Sequence, residues 1–263
     1  MSATKRIWYQ SFVDPAEQIN YIKHLQNYLD HYANKEFKFE VHGLTPPDKS
    51  LHPVTEFRCA AQTICNAIQA EKKGYDAFVI GHFQEPGINE IKAILDIPVV
   101  GLGESNMLHA CNLGYKIGLV TINPVFIPWH ENQIRHYGLE HRIIAVRAVT
   151  AQVKDFELAF SDSSVYQKML DDFTQQIKPM IAQGVEVVIL AGGLPMLLFA
   201  RQKKFLIDDA VVVNGIAVCA KTTEMALDLK ELTGTSVSRR GIYKKATEEI
   251  INEFLHLLKG GNT

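Results

Sequence analysis

Of the ten histidines in this chain, His82 stands where proton transfer is easiest to arrange. It follows YDAFVIG, an apolar run typical of a buried strand, and it begins a turn that continues through Phe83 and Gln84. An imidazole titrates near pH 6.5, so a histidine at a strand end can act as general base or general acid near neutrality. A hydrogen-bonded structural histidine and a metal ligand are the other readings of the same residue. The remaining histidines show no ligand spacing. His130-Glu131 begins like a zinc-binding HExxH motif, but Ile134 stands where the second histidine would be, so no metal is expected.

Other chemistry-bearing residues carry weaker signals. The four cysteines, Cys59, Cys65, Cys111 and Cys219, have neither a disulfide-framework spacing nor a zinc spacing, and read as reduced, mostly buried thiols. GLGES at 101–105 lacks the third glycine and the length of a dinucleotide fingerprint, so no nucleotide cofactor is expected. Glu104 reads as a charge at a helix N-terminus. Arg239 and Arg240 read as a solvated surface pair, with a substrate or subunit contact as the sharper alternative.

The elements that would position these residues alternate. A first strand begins at Arg6–Tyr9, and 15–33 has helical spacing with Asp14 as N-cap and Pro15 at its first position. A second strand covers 37–42, and the loop LTPPDKSLHPVTE, with three prolines, excludes regular structure. Helical spacing returns over 54–73. Strands YDAFVIG, IPVVGLG, KIGLVTI and VEVVILAGG then alternate with helices at PGINEIKAIL, SNMLHACNLG, VFIPWHENQIRHYGL, 163–182 and LPMLLFARQKKF. A loop is expected at 150–161, a short strand or turn leading into a helix at GIAVCAKTTEMALDLKELT, and a last helix at 244–259. Near-continuous apolar strands between amphipathic helices predict an α/β protein with parallel sheets covered on both faces. Sites in such folds lie beyond the carboxyl ends of the strands.

GYDAFVIGHF at 74–83 parallels GVEVVILAGG at 184–193. Two buried strands can match by chance; a duplicated α/β unit is the other explanation. Composition excludes several classes. With 47% apolar and 21% charged residues the chain is an ordinary globular one, and a net charge of -2 gives no global attraction for nucleic acid or anionic membrane. The start, MSATKRIWYQSF, has no apolar stretch of signal length, and no run approaches about 18 apolar residues, so a cytoplasmic location is expected.

DAFVIGHFQEPG, IPVVGLGES and KIGLVTI, followed by HYGLEHRIIAVRAV, GVEVVIL and SVSRRGIY, resemble in order the hydantoin racemases of the Asp/Glu/hydantoin racemase superfamily, across about residues 5–245. The resemblance implies two pseudo-symmetric parallel-sheet α/β domains with the active site in the cleft between them. The expected division is 1–114 plus 217–263 for the first domain and 115–216 for the second. It also implies cofactor-independent chemistry on a small-molecule substrate and a homo-oligomer. In that family one cysteine from each half inverts the substrate carbon. Here His82 falls at the first cysteine and Gly192 at the second, or Gly193 with a one-residue shift. Glycine transfers no proton, so the two-cysteine racemisation is not available.

What the resemblance leaves is one-sided chemistry on a small carboxylate, amide or hydantoin-like substrate. His82 would be general acid/base in an isomerase or lyase step. A hydrolase in which His82 activates water, and a catalytically silent small-ligand-binding paralogue, are the alternatives. The substrate would be held by the N–H groups of Phe83 and Gln84 and by those of Gly193 and Leu194 beside Gly192; Pro195 has none to give. Thr121 and Asn123 after one strand, and Tyr9, Gln10 and Ser11 at the end of the first, would line the same cleft, although each also fits a helix cap or turn.

Overall fold

A computed structural model describes residues 4–258. Strands β1 (Lys5–Gln10), β2 (Phe37–His42), β3 (Ala77–Ile80) and β4 (Val99–Gly101) form one sheet in the order β2-β1-β3-β4, parallel throughout. Strands β5 (Ile117–Thr121), β6 (Ile143–Ala148), β7 (Val187–Ala191), β8 (Leu206–Ile207) and β9 (Ala210–Val212) form a second, ordered β6-β5-β7-β9-β8. It is parallel except for the β8–β9 hairpin.

The first four strands of each order correspond, so β3 and β7 occupy equivalent places. The two similar segments 74–83 and 184–193 are therefore the third strands, in chain order, of two pseudo-symmetric α/β domains. In each sheet the chain leaves the first strand to one side and returns on the other. That reversal opens a crevice at the carboxyl ends of β1 and β3, and of β5 and β7.

The helices are α1 (Ile19–Tyr32), α2 (Pro53–Lys72), α3 (Ile88–Ile94), α4 (Leu102–Ala110), α5 (Ile127–His136), α6 (Val153–Ala159), α7 (Ser163–Ala182), α8 (Gly193–Phe199), α9 (Gly215–Thr233) and α10 (Glu248–Leu258). Strand β1 shows how they are held. Ile7 and Tyr9 face a core that continues into the second sheet, while Trp8 faces α2, α3 and α10 through a cluster with Phe78, Ile64 and Ile91. Phe254 and Leu255 of α10 pack on that second cluster.

Several expectations are corrected. Helix α1 starts at Ile19. Asp14 instead closes a turn, its carboxylate accepting from Ala16 N at 2.8 Å and its carbonyl from Gln18 N at 2.9 Å. The N–H groups of Asn20 and Tyr21, in the first turn of α1, are taken by Glu157 of α6, at 2.9 and 3.2 Å. The expected loop at 150–161 contains α6, which a Gln152–Asp155 capping box starts and the buried Phe156 anchors. Strands β6, β8 and β9 were not foreseen, and 215–233 is helical from its first residue.

Arg239 is not a solvated surface residue. It donates to Lys92 O at 2.8 Å and to Leu95 O, and pairs with Asp96 at 2.8 Å, closing the carboxyl end of α3. Arg240 is exposed. The last helix covers Glu248–Leu258, and residue 259 lies outside the described residues.

Candidate active site

The carboxyl ends of β1, β3, β5 and β7 converge on one cavity. Each strand delivers a short turn. Ser11, Phe12 and Val13 follow β1, and Gly81, His82 and Gln84 follow β3. Ile122 follows β5, and Gly192, Gly193, Leu194 and Pro195 follow β7. The two third-strand turns abut. A Cβ added to Gly193 would sit 3.2 Å from Gly81 O and 2.9 Å from Tyr21 Oη, so the bare backbone of Gly193 is what lets the domains meet this closely.

His82 is partly exposed to the cavity. Its ring stacks on Phe12 with centroids 4.4 Å apart, and its Nε2 lies 3.4 Å from Glu56 Oε1. The angles miss a hydrogen bond, and both atoms are buried without a partner among the described residues. Glu56 belongs to the first turn of α2. That turn is fixed by a reciprocal cap between His52 and Thr55, with Pro53 at its start. Asp48, in the loop before α2, is held by one oxygen only. Its Oδ1 accepts from Ser50 N and Leu51 N at 3.0 Å each and from Thr55 Oγ1 at 2.7 Å. Its Oδ2 is buried with no partner.

Of the residues singled out from the sequence, His82, Ser11, Gln84, Gly192, Gly193 and Leu194 line this cavity. The others lie elsewhere. Tyr9 is fully buried beneath Gly81; a Cβ there would come within 2.2 Å of its ring. Gln10 ties strand ends together, donating to Gly43 O at 3.0 Å and accepting from Trp8 Nε1 at 3.1 Å and Asn66 Nδ2 at 2.9 Å. Phe83 is fully buried against the edge of the His130 ring. Thr121 is buried, its hydroxyl 3.1 Å from His130 Nε2. Asn123 caps the following turn by accepting from Val125 N at 3.0 Å, and it lines an outer chamber with Asp48, Leu51 and Val153, which also line the inner cavity.

Asp48, Glu56, Phe12, Leu51, Phe126 and Val153 were missed. A signal for Glu56 existed. A helix that follows a parallel strand begins at the strand's carboxyl end, so its first-turn acids face the site.

Behind the His82 turn lies a buried polar cluster that crosses between domains. Glu85, at φ 53°, accepts from Gln133 Nε2 at 2.7 Å, Tyr137 Oη at 2.6 Å and Glu104 N at 2.8 Å. A side chain at Gly101 would overlap the Glu85 carboxylate, and one at Gly103 would overlap Gln133 and Phe83 O. The glycines of GLGES thus make room for this carboxylate. Burial pushes Glu85 up to about 7, while the Tyr137 hydrogen bond opposes the shift. Glu104 pairs with Lys92 at 2.7 Å. Beside the cluster, burial holds His130 down at about 4. Its Nδ1 lies 3.4 Å from Gln133 Oε1 and its Nε2 3.1 Å from Thr121 Oγ1.

Among the described residues no cysteine lines the cavity. Burial raises the Cys59 thiol to about 11 and the Cys219 thiol to about 12. No group of three or more His, Cys, Asp or Glu is placed to hold a metal, and no helix is long and apolar enough to cross a membrane, among the described residues.

Two parallel-sheet domains whose strand ends share one cavity define a two-domain α/β protein of the racemase fold. Residues 19–223 match the family described as Asp/Glu/Hydantoin racemase, and the chain belongs to that family. It is 29% identical over 176 residues to a hydantoin racemase of Pseudomonas sp. (strain NS671), a match covering 67% of this chain and 66% of that protein, just under two thirds of its length. It is 26% identical over 161 residues to a hydantoin racemase of Rhizobium meliloti, covering 60% of this chain and 63% of the relative. Among solved structures it resembles allantoin racemase from Klebsiella pneumoniae, with TM-score 0.74 and 18% identity over 93% of this chain and 95% of that one. At that identity the likeness establishes the fold.

Proposed function

We propose that this chain is a cofactor-independent enzyme that moves a proton at a carbon of a small carboxylate, amide or hydantoin-like ring, with His82 as general acid/base. The observation that carries this reading is the wall composition: an imidazole from the first sheet, the bare backbone of Gly192 from the second, and no thiol. His82 would take the proton α to a carbonyl, and the electron pair left on carbon would delocalise onto the carbonyl oxygen. The N–H groups of Gln84, Gly193 and Leu194, which find no acceptor among the described residues, are the donors available to that oxygen. With no second proton donor at Gly192, the step is an isomerisation, elimination or decarboxylation rather than two-thiol inversion. The proposed division is a first domain of 1–114 with 217–263 and a second of 115–216. The packing of Phe254 and Leu255 on the first sheet's core supports the chain's return.

The test is α-deuterium incorporation from heavy water into 5-substituted hydantoins and small 2-substituted carboxylates, followed by mass spectrometry. The wild type exchanges, and His82→Gln with an unchanged circular-dichroism spectrum loses at least about a hundredfold in rate. Full exchange by His82→Gln would remove His82 from the chemistry. Ring opening without exchange would favour a hydrolase in which His82 activates water.

A further inference from the structure

The inner cavity is acidic. Asp48 and Glu56 line it, and among the described residues no lysine or arginine does. In the outer chamber Lys49 is paired with Glu17, and Lys154, Asp14 and Asp48 are also on the lining. Phe12, Leu51, Phe126 and Val153 supply apolar wall, beside the polar Ser11, Tyr21, His82 and Gln84.

Three donors hold Asp48 Oδ1, which fixes the direction of the carboxylate, and its Oδ2 is buried without a partner. Glu56 Oε1 also lacks a hydrogen bond, but it faces His82 Nε2 at 3.4 Å. A buried carboxylate oxygen without a donor is costly, and a ligand bearing N–H groups would remove that cost. A ligand carboxylate directed there would meet two carboxylates and, among the described lining residues, no lysine or arginine.

We propose that Asp48 determines specificity, and that the substrate carries a cationic N–H group, an amine or amidinium, on the arm leading away from His82. Asp48 and Leu51 line both chambers, so an arm passing outward from the ring runs beside Asp48. The inference rests on the reading of the inner cavity as the proton-transfer site.

Three hydantoins with arms of similar length test it: 5-(3-aminopropyl)hydantoin, 5-butylhydantoin and hydantoin-5-propanoic acid. Affinity is read by titration calorimetry and α-deuterium exchange by mass spectrometry. The wild-type protein should favour the amine arm over the butyl arm by about tenfold and bind the acid arm weakest. Asp48→Asn keeps an oxygen for the three loop donors, and it should bring the three affinities within about twofold of one another. The amine preference should also shrink with added salt. A preference for the neutral or acidic arm, or an order unchanged in Asp48→Asn, overturns the inference while exchange of any arm leaves the proton-transfer reading standing. Absence of both binding and exchange for all three overturns both.

Discussion

His82 Nε2 and Glu56 Oε1 stand 3.4 Å apart, in a contact too poorly aligned to be a hydrogen bond. The ring is held on its face by Phe12. A carboxylate so placed can steady the imidazolium that forms when His82 takes a proton.

Glu56→Gln should therefore lower kcat by about tenfold or more while changing KM little, because the interaction strengthens only as charge develops on the ring. Steady-state kinetics on a substrate found by deuterium exchange would show it. A rise in KM at constant kcat would instead make Glu56 a binding group.

The two adjacent glycines should respond differently to alanine. At Gly192 φ is 162°, an extended value open to any residue, and a Cβ would meet the Pro195 ring, at 3.1 and 3.3 Å, and Ile122 Cγ2 at 3.8 Å. At Gly193 it would press on Gly81 O and Tyr21 Oη across the domain boundary. Gly193→Ala should cost about 1–3 kcal/mol and Gly192→Ala less than about 1. Urea unfolding of both variants checks the ranking, and equal losses would contradict the tight abutment of the turns.

Stability should show opposing pH slopes from two buried groups. Glu85 is raised from 4.5 to about 7, so within that window the folded protein keeps a proton that the unfolded chain has released. Its contribution is complete below about pH 4.5 and is lost as pH rises through about 7. His130 is lowered from 6.5 to about 4, so its contribution is present above pH 6.5 and is lost as pH falls through about 4. Each is worth on the order of 3 kcal/mol across its window. Glu85→Gln should flatten the decline toward neutral pH, and His130→Gln the decline toward acid. Unfolding free energies measured from about pH 4 to 8 decide it, and a Glu85→Gln profile parallel to the wild type would refute the burial argument.

Local pattern made much of the architecture readable. The strands ending before Gly81 and Gly192 are short apolar runs with polar flanks, and their likeness marked the equivalent positions of two sheets. Elements that depend on distant partners were not readable. The start of α1 is set by Glu157, well over a hundred residues away in sequence. The β8–β9 hairpin turns on Asp208 and Asp209, both with positive φ of 45° and 66°, where the familiar signal would have been Asn-Gly or Asp-Gly. In the site, His82 was visible because it ends a buried strand. Asp48 and Glu56 were hidden in a proline-rich segment whose meaning lies in its caps. The placement of Gln10 on the strand ends follows from contacts across β1 and β2 that no linear spacing encodes.

The wall that Gly192 and Gly193 give the cavity is main chain. Its shape is inherited from the path of β7 into α8, so a point substitution elsewhere leaves its donors as they are. Divergence toward new substrates would then be carried by the loop between β2 and α2, whose side chains can change without moving either sheet. Two descendants of this fold with different substrates would be expected to share the glycine turn and to differ around positions 48–56.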